Sequence, residues 1–258
     1  MTRRASRRHR RAEKCALRLT KRDPWILEDL AKMRFATTGQ LARLHFGESR
    51  SAANKRLRRL LDAGLVRVWV PRLDGENIYG LASPGMRLLG ESDPRERSAP
   101  RGLDGNIAHL LAVNSVRVAI AVTIGELGAE LDWWRSYWEL DACFKEPVIP
   151  DALFRVRVAD RHQVFALELD RTTPAPKAFL RRILNYEAMG GRGYGVSELA
   201  ILIVGSHGWL ERYRLLVAQH PLRIPLWFAS LSDIVTEGAL ASWRSVRGDL
   251  VPSLRALL

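Results

Sequence analysis

The stretch EPVIPDALFRVRVADRHQVFALELDRTT, residues 146–173, decides how the second half of the chain is read. Two β-rich runs, VIPDALFRVRV and HQVFALELD, meet at Ala159 to Arg161 and read as a pair of strands joined by a tight turn. Three carboxylates, Asp151, Glu168 and Asp170, stand where packing alone favours Val or Ile. Side chains alternate along a strand, so Glu168 and Asp170 share a face with Val164 and Ala166, ~7 Å apart, while Phe165, Leu167 and Leu169 take the other. If residues 148–158 pair with 163–170, Asp151 approaches Glu168 at one end of the sheet. Like charges gathered there repel, and burial raises their pKa values. A divalent cation removes the difficulty, and oxygen ligands suit Mg2+ or Mn2+. Asp151, Glu168 and Asp170 are therefore the candidate metal ligands.

Outward from this pair the elements follow a definite order. GNIAHLLAVNSVRVAIAVTIGEL reads as a long helix and LDWWRSYWEL as an aromatic strand. After the two acidic strands come APKAFLRRILNYEAM, an amphipathic helix, LAILIVG, an apolar central strand, HGWLERYRLLVAQ, a helix, and PLWFASLSD, a strand. The sum, αβββαβαβ, predicts an α/β (α+β) class with helices on both faces of a mixed sheet. Lys177 and Arg181, at i and i+4, share the polar face of the amphipathic helix and are candidates to steady a phosphate. Glu139 is a weaker candidate ligand. Trp133, Trp134 and Trp138 either stack on unpaired bases or pack against helices. His109 and Asn114 either reach the acidic site or satisfy each other in the core, and the reading favours the core pair. GGRGYGVS lacks the Lys-Ser/Thr of a phosphate loop and reads as a flexible connection.

Charge divides the chain unevenly. Residues 1–22 hold ten Lys or Arg against Glu13 alone, and residues 23–90 hold eleven against seven acids. Residues 91–258 carry twenty of each, so the formal +13 sits wholly in the first third. Such asymmetry points to a polyanion held by the N-terminal part. Residues 1–22 read as a basic disordered arm. In residues 23–90, DPWILEDLAKMR starts a helix with Asp23 as cap, TTGQLARLHF gives a second, and ESRSAANKRLRRLLDAG a third, ending at Gly64. Arg50, Ser51, Asn54, Lys55 and Arg58 lie opposite its apolar stripe, a donor set suited to phosphates and base edges. LVRVWVPRLDGENIYGLA then forms a hairpin about Asp74-Gly75, with Arg72 near its tip, and SPGMRLLG a short closing helix. Three helices and a hairpin predict a winged helix-turn-helix domain. GESDPRERSAPRGLD, covering the 91–104 linker, separates it from residues 105–258.

Two cysteines, Cys15 and Cys143, are too few for a disulfide framework and fit a reducing, cytoplasmic setting. No run reaches the ~18 uncharged apolar residues of a membrane helix, because LAVNSVRVAIAVTIGELG is broken by Arg117 and Glu126. No membrane partner is expected.

The order of elements, with Pro150-Asp151 on one strand and Glu168-Leu169-Asp170 ending the next, resembles the PD-(D/E)xK nuclease superfamily. More specifically, HLLAVN (His109 to Asn114), Pro150-Asp151, ELDRTT (Glu168 to Thr173) and a helix ending near Tyr186 are similar to the replication-relaxation family of plasmids and mobile elements, over residues 20 to about 230. That resemblance implies a restriction-endonuclease-like second domain, DNA as partner, and Asp151, Glu168 and Asp170 around Mg2+ or Mn2+, with Lys177 or Arg181 at the phosphate. The Lys of the nuclease pattern is replaced by Asp170, and neighbouring Arg171 is a phosphate clamp more than a base. Two functions stay open. One is metal-dependent cleavage or nicking of double-stranded DNA in replication or mobilisation. The other is a non-catalytic regulator or replication accessory factor, whose second domain forms a homodimer or recruits a replication or relaxase partner.

Overall fold

The computed structural model describes residues 17–70, 75–90, 105–171 and 175–258. Most of the basic arm, Cys15, Arg72, the 91–104 linker, and Thr172 and Thr173 lie outside the described residues. The chain divides into two compact units, Met1–Ala99 and Pro100–Leu258.

In the first unit, α1 (Asp23–Met33) starts on Pro24, whose fixed φ suits a first turn. Asp23 does not act as its cap. The capping position falls on Arg22, and the fully buried Asp23 carboxylate accepts from Thr20 and from Arg56 instead. After β1 (Ala36–Thr37), α2 (Thr38–His45) is closed by a capping box in which Thr37 and Gln40 satisfy each other's backbone N–H. Ser49 caps α3 (Arg50–Asp62). The hairpin strands β2 (Val66–Trp69) and β3 (Ile78–Leu81) pair antiparallel, and β1 adds to β3. A short α4 (Ser83–Leu88) follows. Ile26, Leu27, Leu30, Met33, Leu41, Leu57 and Leu60 are all buried and form the core the three helices share.

The second unit begins with α5 (Gly105–Thr123), then β4 (Glu130–Ser136) and α6 (Tyr137–Cys143). The expected aromatic strand thus stops early. Ser136 and Glu139 form a capping box, and Glu139 Oε2 accepts the Ser136 N–H at 2.8 Å, so this carboxylate serves a helix end. Trp134 is buried and stacks on Phe154 at 4.7 Å, a packing role, whereas Trp133 is partly buried beside Arg135 and Arg155. Then come β5 (Ala152–Val158), β6 (Arg161–Asp170), α7 (Pro176–Met189), β7 (Leu199–Gly205), α8 (His207–Ala218), β8 (Leu226–Ser230) and α9 (Leu231–Glu237). Two short strands, β9 (Trp243–Ser245) and β10 (Leu250–Val251), end the sheet.

Among the described residues this sheet has seven strands in the order β10-β9-β8-β7-β6-β5-β4. Strands β4, β5 and β6 form an antiparallel meander; β6, β7 and β8 run parallel, as crossover helices α7 and α8 require. The fold class is therefore mixed α/β, as the sequence predicts. Phe154, Phe165, Leu167 and Leu169 face the core layer that holds Val113, Val116 and Ile120 of α5. Ala166, Ile201 and Ile203 face Phe179, Ile183 and Tyr186 of α7 and Tyr213 of α8. Residues Ile107–Leu127, mean hydropathy 1.8, are long and apolar enough by composition to cross a membrane. Their apolar stripe instead packs on the sheet through Val113, Val116, Ile120 and Ile124.

Candidate functional site

Strand register brings the acidic residues together. Ala152 lies opposite Leu167, and one residue further the Asp151 N–H donates to the Leu167 carbonyl at 3.0 Å. Asp151 therefore stands across from Glu168. Its backbone carbonyl also accepts the Tyr137 N–H at 2.9 Å, which ties the strand entry to the start of α6. Glu168 and Asp170 fall on the α7 side of β6, in step with Ala166 and Val164, where alternation puts them.

Each carboxylate has partners. Asp151 Oδ2 accepts the Leu169 N–H at 2.8 Å, and Oδ1 lies 2.8 Å from His109 Nε2. His109 thus belongs to the acidic site and not to a core pair with Asn114, the reverse of the sequence reading. Its position near the start of α5, ahead of the buried stripe, explains why: the side chain is still 37% exposed and reaches the end of the sheet. Glu168, with 5% of its side chain exposed, accepts from Tyr186 Oη on Oε1 and from Arg182 Nη1 on Oε2, both at 2.5 Å. Asp170 Oδ2 faces Arg182 Nη2 at 3.6 Å and accepts no hydrogen bond among the described residues.

Arg182 is the cation that sequence reasoning missed. Lys177 and Arg181, the two nominated, are exposed and form no ion pair with the acidic residues among those described. Helical geometry gives the reason. Phe179, Ile183 and Tyr186 are the buried residues of α7, and position 182, three after Phe179 and four before Tyr186, flanks that stripe. Positions 177 and 181 turn away from it. An Arg within helical step of two core aromatics was the available signal.

The electrostatics follow from crowding. Burial, with the nearby Asp151 charge, pushes Glu168 up to about 7, against the pull of Arg182 and Tyr186. Burial likewise raises Asp170, and Asp151 adds to it. The hydrogen bond to Asp151 holds His109 above its ordinary value. Burial works against the charge on Arg182, but Glu168 and Asp170 outweigh it and keep that guanidinium more firmly protonated than usual. Burial next to Glu168 raises the Tyr186 phenol well above its ordinary value.

Carboxylate oxygens are the right donor chemistry for Mg2+ or Mn2+. Their placement does not fit. Both oxygens of Asp151 and both of Glu168 are engaged, and Arg182 occupies the side of Glu168 and Asp170 that a cation would take. Among the described residues no group of three or more His, Cys, Asp or Glu is placed to hold a metal ion.

In the first unit, α3 buries Ala53, Leu57 and Leu60 and exposes Arg50, Ser51, Asn54, Lys55 and Arg58, the face the sequence nominates. Part of its charge is spent internally. Arg50 pairs with Glu76, just before β3, and Arg58 with Asp62 one turn on at 3.1 Å. Lys55 has no carboxylate partner among the described residues. Arg56, which the nominated set leaves out, turns inward to Asp23, with Nε donating to Oδ1 at 2.7 Å. Burial opposes the charge of Asp23, but the Arg56 and Thr20 hydrogen bonds prevail and lower its pKa.

A two-unit chain with this mixed sheet and acidic strand pair is matched by the family model for replication-relaxation over residues 27–197, which span both units. The chain belongs to the replication-relaxation family. Among solved structures it is similar to restriction endonuclease FokI, with 12% identity, a TM-score of 0.34, and coverage of 84% of this chain and 43% of that one. FokI bound to DNA gives 13% identity, a TM-score of 0.29, and coverage of 86% and 46%. The chain spans less than half the length of these FokI chains. No curated protein matches it.

Proposed function

We propose that the protein is a duplex-DNA-binding accessory factor of replication in a plasmid or related mobile element, and that its second unit carries a nuclease-like acidic site closed by its own cations. The carrying observation is Arg182, which bridges Glu168 and Asp170. In a metal-dependent nuclease those carboxylates hold a cation that activates water. Here a guanidinium supplies the positive charge, and it neither loses a proton readily nor carries a water to attack phosphorus. His109, when protonated, does the same for Asp151, and its bond to that carboxylate favours the protonated form. The site is thereby neutralised and its strand ends are fixed, with β6 pinned to α7 through Arg182 and Tyr186, and β5 pinned to α5 through His109.

DNA engagement falls to the first unit, read as a winged helix. Family membership, the excess charge and the exposed donor face of α3 support that reading. Lys55 and Arg58 reach phosphates, Ser51 and Asn54 face base edges, and Arg50 is released from Glu76 when a phosphate replaces it. Gel shifts of the full chain on a duplex, with EDTA and with Mg2+, test the proposal. Equal affinity under both conditions is expected; binding that requires the cation refutes it.

One observation favours the catalytic alternative. Asp170 Oδ2 is buried without a hydrogen-bond partner among the described residues, an arrangement that costs free energy and that a further ligand relieves. Arg182→Gln frees that side of the site. Cation-dependent nicking gained by this variant would identify Arg182 as a removable lock, whereas an inert variant supports a purely structural site.

A further inference from the structure

Beside the DNA-facing side of α3 lies a groove of about 660 Å3, bounded by the chain leading into α1, the start of α1, Phe46 after α2, and the flank of α3. Its volume lies in the range of small-ligand sites, roughly 300–1,000 Å3. Three features distinguish it from an ordinary crevice. Trp25 lies in its wall and is 60% exposed, on a helix whose other large apolar residues are buried. Lys21, Arg22, Lys55 and Arg59 line it without a carboxylate partner among the described residues. A fifth cation, Arg56, is already neutralised by Asp23 and serves as a strut. Arg22 lies over the Phe46 ring at 4.8 Å, so its charge is held at the wall and not dispersed into solvent.

We propose that this groove binds an unpaired DNA strand, with the phosphates on Lys21, Lys55 and Arg59 and one base stacked on Trp25. The inference rests on the DNA-binding reading of the first unit and extends it from duplex to a duplex with a single-stranded extension. Charge complementarity selects a polyanion. The exposed indole selects one with free aromatic faces, because duplex bases are stacked on each other and single strands offer theirs. Lys55 belongs both to the nominated DNA face of α3 and to the groove. A strand leaving a duplex held on α3 therefore enters the groove without a gap in its phosphate contacts.

The test uses the full chain and fluorescence anisotropy with three probes: a blunt duplex of about 20 base pairs, the same duplex with an extension of about ten thymidines, and the thymidine oligomer alone. One stacked base predicts roughly tenfold tighter binding of the extended duplex than of the blunt one. Trp25→Ala and the double variant Lys21→Ala/Arg59→Ala should abolish that gain while leaving blunt-duplex affinity within about twofold, and Trp25→Phe should keep most of it. No gain in the parent, or a gain that survives in both variants, overturns the proposal. So does displacement by polyglutamate as effective as by the thymidine oligomer, which would reduce the groove to a charge patch. If the blunt duplex fails to bind, the α3 reading is wrong, and the oligomer alone decides the groove: Trp25-dependent binding upholds it and its absence overturns it.

Discussion

Arg182 Nη1 donates to Glu168 Oε2 at 2.5 Å while Nη2 of the same guanidinium faces Asp170 Oδ2 at 3.6 Å. One side chain thus holds both acidic residues at the end of β6. Removing one partner of a buried pair leaves the other charge uncompensated, at a cost of about 3–5 kcal/mol. Arg182→Ala should therefore lower stability at pH 8 by roughly 3 kcal/mol, and adding Glu168→Gln to it should recover more than half. Urea unfolding of the second unit's tryptophans measures both. A change under about 0.5 kcal/mol in the single variant, the range of surface substitutions, would show that the bridge is not formed.

The pH dependence has a definite sign. Glu168 is raised from 4.5 to about 7, so the native state binds this proton more tightly than the unfolded chain. Stability from this group is fully present below 4.5 and is lost as pH rises to about 7, at no more than about 1.4 kcal/mol per pH unit. His109, raised above 6.5, acts in the same direction: its contribution is present below 6.5 and is lost as pH climbs through its folded value. Unfolding free energies between pH 4.5 and 8 should decline, and Glu168→Gln should flatten the lower part of that window. A decline unchanged in that variant would place the titration elsewhere.

His109 offers a local readout. Its imidazole resonances should titrate above 6.5 in the parent and move down in Asp151→Asn, which removes the charge that Nε2 faces. An identical midpoint in both proteins would mean the two side chains are apart in solution.

On α3, Lys55→Ala should reduce the slope of log affinity against log salt by about one, and weaken all duplex sequences alike. Asn54→Ala should instead narrow the gap between preferred and random sequence while leaving the salt slope alone. Equal affinity and slope in both variants would take the DNA-facing role away from α3.

Gly205, opposite Asp170 on β7, has no room for a methyl group: a Cβ would lie 2.1 Å from the Trp209 ring. Gly205→Ala should cost about 1–3 kcal/mol, as overpacked cores do. Thermal unfolding measures it, and an unchanged midpoint would show that Trp209 is free to move away.

Periodicity carried much of the fold. The paired strands β5 and β6, the amphipathic helix α7 and the central β7 follow from alternation, a 3.6-residue stripe and a wholly apolar run, whereas the pairing of β4 and the parallel direction of β7 came only with the structure. The α6 turn was hidden because Tyr137 and Trp138 are strong strand formers, and the Ser136–Glu139 capping box prevailed over their propensity. The short β9 and β10 have too few residues for a periodic signal. At the site, the carboxylates were legible because polar residues interrupt apolar strands. The groups that answer them were harder to read: Arg182 showed only as an Arg within helical step of Phe179 and Tyr186, and His109 reaches Asp151 through tertiary packing of α5, which spacing along the chain does not encode. Asp23 misled for a similar reason, since its value to the fold lies in Arg56, 33 residues away, and not in the helix it begins.

Closure of the acidic site is tested most directly by incubating the full chain with supercoiled plasmid in Mg2+ and in Mn2+ and following nicked product. Binding without nicking in either cation is the expected result, with Asp151→Ala and Glu168→Ala indistinguishable from the parent in this assay. Nicking by the parent that needs the cation and disappears in both variants would contradict it, and would make Asp151 and Glu168 catalytic residues.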